Sequence, residues 1–185
     1  MRFVPLASVS MLLLLAAPAR SATTTLGTSF GVQFISSPGA STVTILGIPS
    51  SPGIFFSGVQ PGLHVGGLTD SGSEEIFLDM GWSLASLNGE SIYSILNTLN
   101  YQHNFGTPGT QPYLTVGGGM LVQGYLGSSD SYGMLGGGVG LRNLVASGHG
   151  DVRFEFRYDR VFSSDALGED LNVIGIKAGF DLLLR

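Results

Sequence analysis

Nine residues have the types and spacing for acid–base or ion-pair chemistry: Glu75, Asp79, Arg142, Arg153, Glu155, Arg157, Asp159, Lys177 and Asp181. Four stand in "DVRFEFRYDRVF", residues 151–162, where Arg153, Glu155, Arg157 and Asp159 alternate with Val152, Phe154, Phe156 and Tyr158. Asp79, Glu155 and Asp159 could in principle work as general acid and base. The guanidiniums of Arg153 and Arg157 flank two of these carboxylates, and such company favours ion-paired structure over catalysis.

Other chemistry finds less support. His64, His103 and His149 fall on different elements, in a lumen, at an inner rim and in a turn, so no metal-ligand spacing emerges. His149 has only Asp151 close in sequence as a carboxylate partner. There are no cysteines, which removes disulfides and thiolate metal sites. The runs "VGGGM" and "LGGGVG" do not fit G-x-G-x-x-G, are not followed by Lys-Ser or Lys-Thr, and open no helix. Glycine in a strand marks a bend or leaves room for a large neighbour. No catalytic residue, cofactor or metal is expected.

The elements that must carry the nine residues are strands with one face free of charge. "NVIGIKAGFDLLL" sets Ile174, Ile176, Ala178, Phe180, Leu182 and Leu184 against Val173, Gly175, Lys177, Gly179 and Asp181. "PYLTVGGGMLVQGYL", "YGMLGGGVGLRN", "SIYSILNTLNYQHNF" and "EEIFLDMGWSLAS" divide in the same way, with Leu96 and Asn97 as exceptions in the third. "PGLHVGGLT" is a weaker seventh segment, with Leu63 and Val65 opposite His64 and Gly66.

Such strands suit a soluble sandwich or, turned inside out, a barrel in lipid. Composition decides for lipid. Charged residues make up only 11%, mean hydropathy is +0.33, and glycine occurs 29 times. No later segment approaches the roughly 18 to 20 apolar residues of a spanning helix, so the apolar content is dispersed at every second position, as in a transmembrane barrel. "MRFVPLASVSMLLLLAAPARSA" reads as a signal peptide over 1–21, cut near Ser21 or Ala22. The formal charge of −5 grows more negative once Arg2 and Arg20 are removed, which argues against a nucleic-acid partner.

Bacterial single-chain barrels have even strand numbers, so an eighth strand must precede residue 61. Residues 41–49, "STVTILGIP", are favoured by their β-branched run; 28–36 then becomes an extra strand, a kinked extension or a lumen arm. The fold expected is an all-β, eight-stranded antiparallel up-and-down transmembrane barrel over 41–185, with 22–40 as an N-terminal segment. Strand parity puts outer loops at 50–60, 86–90, 127–131 and 163–170, and inner turns near 70–74, 106–111 and 144–150. Phe55 and Phe56 then sit in or beside the first loop and need membrane or barrel contact. Four basic and five acidic lumen residues nearly cancel, and an eight-stranded interior is just wide enough to be filled by side chains.

With "QPYLTVGGGMLVQGY", "YGMLGGGVGLR", "DVRFEFRYDRVF" and "NVIGIKAGFDL" in succession, the chain resembles the small outer-membrane β-barrel proteins of OmpA/OmpX type, and more closely the outer membrane beta-barrel domain proteins. The resemblance implies the outer membrane of a Gram-negative bacterium, with membrane lipids and the barrel-insertion machinery as partners, and a monomer. Members usually end on an aromatic residue; this chain ends Leu184-Arg185, with Phe180 the nearest aromatic. The expected role is structural or interactional, with no catalysis. The alternatives are a narrow, porin-like pore for ions or small solutes, or a lipid-modifying enzyme with a carboxylate-activated Ser or His near the membrane rim.

Overall fold

The computed structural model describes residues 23–36, 43–47, 62–87, 90–125, 128–162 and 170–184. Its strands in chain order are β1 (Thr23–Ser36), β2 (Val43–Gly47), β3 (Leu63–Leu68), β4 (Glu74–Leu87), β5 (Glu90–Asn104), β6 (Thr110–Tyr125), β7 (Ser128–Val145), β8 (Gly150–Val161) and β9 (Leu171–Leu184). From β3 to β9 each strand pairs antiparallel with the next. β1 pairs with β3 on one edge and with β9 on the other, so the circuit β1–β3–β4–β5–β6–β7–β8–β9–β1 is a closed eight-stranded barrel. Strands β4 to β9 have 12 to 18 residues, longer than the roughly 9 to 11 that cross a bilayer core. No described helix is long and apolar enough to cross a membrane.

The first strand is not the one expected. Thr23–Ser36 closes the barrel, in register with β9 from Thr24–Leu184 to Ser36–Asn172. The β-branched run of 41–49 does form a strand, Val43–Gly47, but it lies beside the second half of β1, from Gly31–Gly47 to Ile35–Val43. The first half of that same edge pairs with β3, from Thr23–Leu68 to Gly27–His64. β1 thus serves two successive partners along one edge. Local strand propensity measures fitness for any pleated sheet, whereas closure depends on which segment can pair with the last strand, a partner well over a hundred residues away.

Both described chain ends, Thr23 and Leu184, lie at one end of the barrel, together with turns 69–73, 105–109 and 146–149. This terminal end carries the segments expected as inner turns. They are tight: Gly72 takes φ 70°, Thr69 N–H donates to Glu74 O, and Ala146 and Ser147 take φ 50° and 56°. The hairpins β4–β5, β6–β7 and β8–β9 turn at the far end, where β7 begins at Ser128, inside the stretch expected as loop 127–131. The expected loop 50–60, with Phe55 and Phe56, lies outside the described residues.

Alternation sorts the faces. Outward positions carry Phe30, Leu114, Val116, Leu135, Val139, Phe154, Phe156 and Ile176, all exposed. Among the described residues, the Asp, Glu, Lys, Arg and His side chains at outward strand positions are Glu74, His103 and Arg160, near strand ends. In water so continuous an apolar surface would drive association; against lipid it is the required face.

The glycines of β6 and β7 are explained by space inside. Tyr113 crosses the lumen side of Gly140 and donates its hydroxyl to Phe154 O at 3.4 Å. A Cβ at Gly140 would fall on the Tyr113 ring and on that same carbonyl; one at Gly136 would meet the Asp159 carboxylate, and one at Gly117 the Asn100 amide. Gly133 is exposed, and a Cβ there meets nothing nearer than Phe162 at 3.9 Å. Gly140→Ala is therefore expected to cost about 1–3 kcal/mol by overpacking, and Gly133→Ala less than about 0.5 kcal/mol. Urea titrations of the barrel refolded in lipid vesicles, followed by tryptophan fluorescence, check the difference.

A candidate functional site in the barrel lumen

The inward positions of β8 read Asp151, Arg153, Glu155, Arg157, Asp159 and Val161, all buried. Two ion networks grow from them. Near the terminal end, Arg142 donates from Nε and Nη2 to Asp151 Oδ2 at 2.8 and 2.6 Å, and Arg153 Nε lies 2.6 Å from Asp181 Oδ2. Arg153 also sits 5.4 Å from the Phe77 ring centroid, a cation–π contact inside the lumen. Asp151 and Asp181 are cross-strand neighbours, so each arginine is needed to keep two carboxylates from facing each other bare.

The second network runs along the lumen. His64 bridges Glu75 and Asp79; Lys177 Nζ lies 3.4 Å from Asp79 Oδ2 and 3.1 Å from Glu155 Oε1; Arg157 Nη1 lies 3.8 Å from Glu155, and its Nε donates to Asp159 at 2.8 Å. Thr25 Oγ1 donates to Glu75 at 2.6 Å, and Gln102 Nε2 to its other oxygen at 3.5 Å. All nine residues singled out by type and spacing thus point into the lumen and enter these two networks.

Two members stand outside the nine residues read from type and spacing. Asp151 lies one alternation step before Arg153, and continuing the pattern backwards would have found it. His64 is expected on the lumen side, and the structure supplies its partners, Glu75 and Asp79. With Asp151 the networks hold six carboxylates against four Lys and Arg cations and the His64 ring.

The far end of the lumen is different in kind. Leu96, Leu121, Tyr132, Met134, Val161 and Val173, from β5 to β9, form a buried apolar cluster with Leu171 packed against it. Leu96, the exception in its strand's pattern, is explained by this layer: it points inward, where neighbours are apolar. Beneath it the charged region is well filled. A cavity of about 10 Å³ lies among Ser29, Asp79, Tyr113, Arg153, Glu155, Lys177 and Gly179, about the room of one water. A larger cavity of about 120 Å³ opens at the terminal end, beside Leu68, Gln111, Arg142 and Leu183.

Two arrangements invite comparison with hydrolytic centres. Thr25, His64 and Asp79 stand in nucleophile–base–acid order, with Thr25 Oγ1 3.4 Å from Nε2 and Nδ1 2.8 Å from Asp79. The Thr25 hydroxyl is fully buried and donates to Glu75, so its proton is committed elsewhere and no substrate reaches it. Ser147 and His149 share the turn before Asp151, but the His149 ring sits by Ala146 O while Asp151 binds Arg142 inside. Among the described residues no group of three or more His, Asp or Glu forms a metal-binding cluster.

Comparison with solved structures places the fold. Neisserial surface protein A matches with a TM-score of 0.59 at 14% identity, over 86% of this chain and 96% of that one. Ail, the attachment invasion locus protein of Yersinia pestis, solved with the heparin analogue sucrose octasulfate, matches over 86% of this chain and 98% of its own at 10% identity, with a TM-score of 0.40. No family model and no curated protein matches the chain. The fold is that of the small eight-stranded outer-membrane barrels.

Adjacent residues of β8 should answer substitution by different mechanisms. Phe156→Arg places a charge toward lipid, at roughly 2–4 kcal/mol near mid-membrane. Arg157→Phe leaves the outer face intact and strands Asp159, costing about 3–5 kcal/mol in a dry site and less where water enters. Acid should neutralise the stranded carboxylate and partly rescue Arg157→Phe, leaving Phe156→Arg unchanged. Refolding yields into vesicles at neutral and acidic pH measure this; equal responses would contradict the assignment of faces.

Proposed function

We propose that this protein is an integral barrel of a bacterial outer membrane, with a structural or surface-interaction role and a lumen closed to steady conduction. The carrying observation is the inversion of the barrel: exposed apolar side chains outside, paired charges and a buried apolar layer inside. In this reading residues 1–21 are removed on export, both chain ends face the periplasm, and the barrel works as a monomer held by membrane lipids after assembly by the insertion machinery. The far-end rim then lies at the cell surface, where Arg160 pairs with Asp170 at 2.7 Å and Tyr158 donates to Asn172 at 2.7 Å between β8 and β9. The solved neighbour named a surface protein fits that role.

Fractionation should recover the protein in the outer membrane with an intact mass beginning near Ala22. The folded form should migrate differently on a gel before and after boiling. Recovery of most of it as a soluble periplasmic species would refute the reading. In planar bilayers the purified barrel should give no reproducible conductance steps, because the interior is filled by side chains. Steady steps abolished by substituting Arg157 or Asp159 would establish a pore instead.

A further inference from the structure

One lumen side chain sits where the barrel wall changes partner. His64 is the last β3 residue paired with β1, opposite Gly27; from Gly31 onward that edge of β1 pairs with β2. On its other side His64 is the register partner of Asp79. Its ring is buried, with Nδ1 2.8 Å from Asp79 Oδ1 and Nε2 3.2 Å from Glu75 Oε1. Ionised carboxylates only accept hydrogen bonds, and the Thr25 hydroxyl already donates to that Glu75 oxygen. A ring bonded to a carboxylate at each nitrogen needs two N–H groups.

We propose that His64 is held as an imidazolium between Glu75 and Asp79 and acts as a proton-dependent clasp, keeping the β1–β3–β4 junction shut where the β1–β3 backbone ladder ends. The surrounding groups fit a cation there. β4 supplies both carboxylates and the Phe77 ring, whose centroid lies 4.4 Å from that of His64. β1 supplies Thr25, and β5 supplies Gln102 to the second Glu75 oxygen. The opposing cations are already engaged: Arg153 of β8 with Asp181 of β9, and Lys177 of β9 with Asp79 and Glu155.

When rising pH removes one ring proton, a nitrogen lone pair is left facing a buried carboxylate oxygen, and the surplus of negative charge around it grows. The strand that loses its side-chain anchor is the six-residue β3. The junction therefore frays from the fork, while the long ladder of β6 with β7 has no histidine and stays shut.

The test is nuclear magnetic resonance of the refolded full barrel, with ¹⁵N-histidine labelling and amide exchange. At neutral pH, His64 should show two protonated ring nitrogens, with His103→Gln and His149→Gln variants used for assignment. As pH rises and the second proton leaves, exchange at Leu26, Gly27 and Val65, corrected for its intrinsic pH dependence, should accelerate about tenfold or more, the worth of one charge-assisted hydrogen bond. Exchange at Thr115 and Gly138 should not follow. In His64→Gln, which cannot titrate, fork exchange should be fast at every pH. A singly protonated ring at neutral pH, which would put the second proton on Glu75, overturns the proposal, as does the same pH response in His64→Gln. If His64→Gln does not fold, the wild-type ring spectra and site-resolved exchange decide between the same two outcomes.

Discussion

The pairing of β1 with β9 is the constraint on which the rest of this structure depends. In a bilayer no water reaches the backbone, so a sheet survives only if it has no open edge. Joining Thr24–Ser36 to Asn172–Leu184 closes the circuit at eight strands. Eight strands fix the bore, which holds side chains and little else. Volume inside then becomes a shared quantity: at several crowded places a large inward residue on one strand is matched by glycine on its neighbour. Tyr113 over Gly140, Asp159 beside Gly136 and Asn100 beside Gly117 are three such places. The abundance of glycine and the crowding of long polar side chains are two expressions of the same closure.

Closure alone does not choose a register. A strand apolar on both faces could slip by one residue and expose its other face at little cost. β8 cannot. A slip of one position would send Arg153 and Arg157 into lipid, at roughly 2–4 kcal/mol for each cation near the midplane, and would bring Phe154 and Phe156 among the carboxylates of β4 and β9. Buried ion pairs are poor contributors to net stability, because desolvation offsets most of their attraction. Their contribution here is to make the correct face assignment far better than its alternative. The charges that do this concentrate on β4, β8 and β9, while the inward face of β7 carries three successive glycines, Gly136, Gly138 and Gly140, between Met134 and Arg142.

Alternation made most of this legible. Strands β4 to β9, their inward charges and the terminal-end turns could be read because each is encoded locally, at every second residue. Three features could not. β1 alternates threonine, serine and glycine inward against leucine and phenylalanine outward; with no charge to mark its inner face, it looked weaker than the β-branched run of 41–49. The fork, where one edge of β1 passes from β3 to β2, depends on pairings whose partners are separated by loops of different length. Asp151 is weakly marked because it stands at the start of its strand, beside a turn, where alternation has only one side to stand on.

The lumen is expected from the sequence to be polar along its length, and the apolar layer that crosses it beyond the charged half changes the physical picture of closure. On β8 the change falls between Asp159 and Val161, on β7 between Arg142 and Met134 across three glycines, and on β9 between Lys177 and Val173. An ion entering the charged half would meet paired groups that could exchange partners with it. Beyond them it would face Leu96, Leu121, Met134 and Val173, whose side chains offer no hydrogen bond to replace its hydration, the kind of constriction that disfavours ions by dewetting. Charge balance in the networks is therefore a secondary matter for conduction. The surplus of carboxylates could favour cations in the lower half, but the apolar side chains above it set a barrier before ions of either sign.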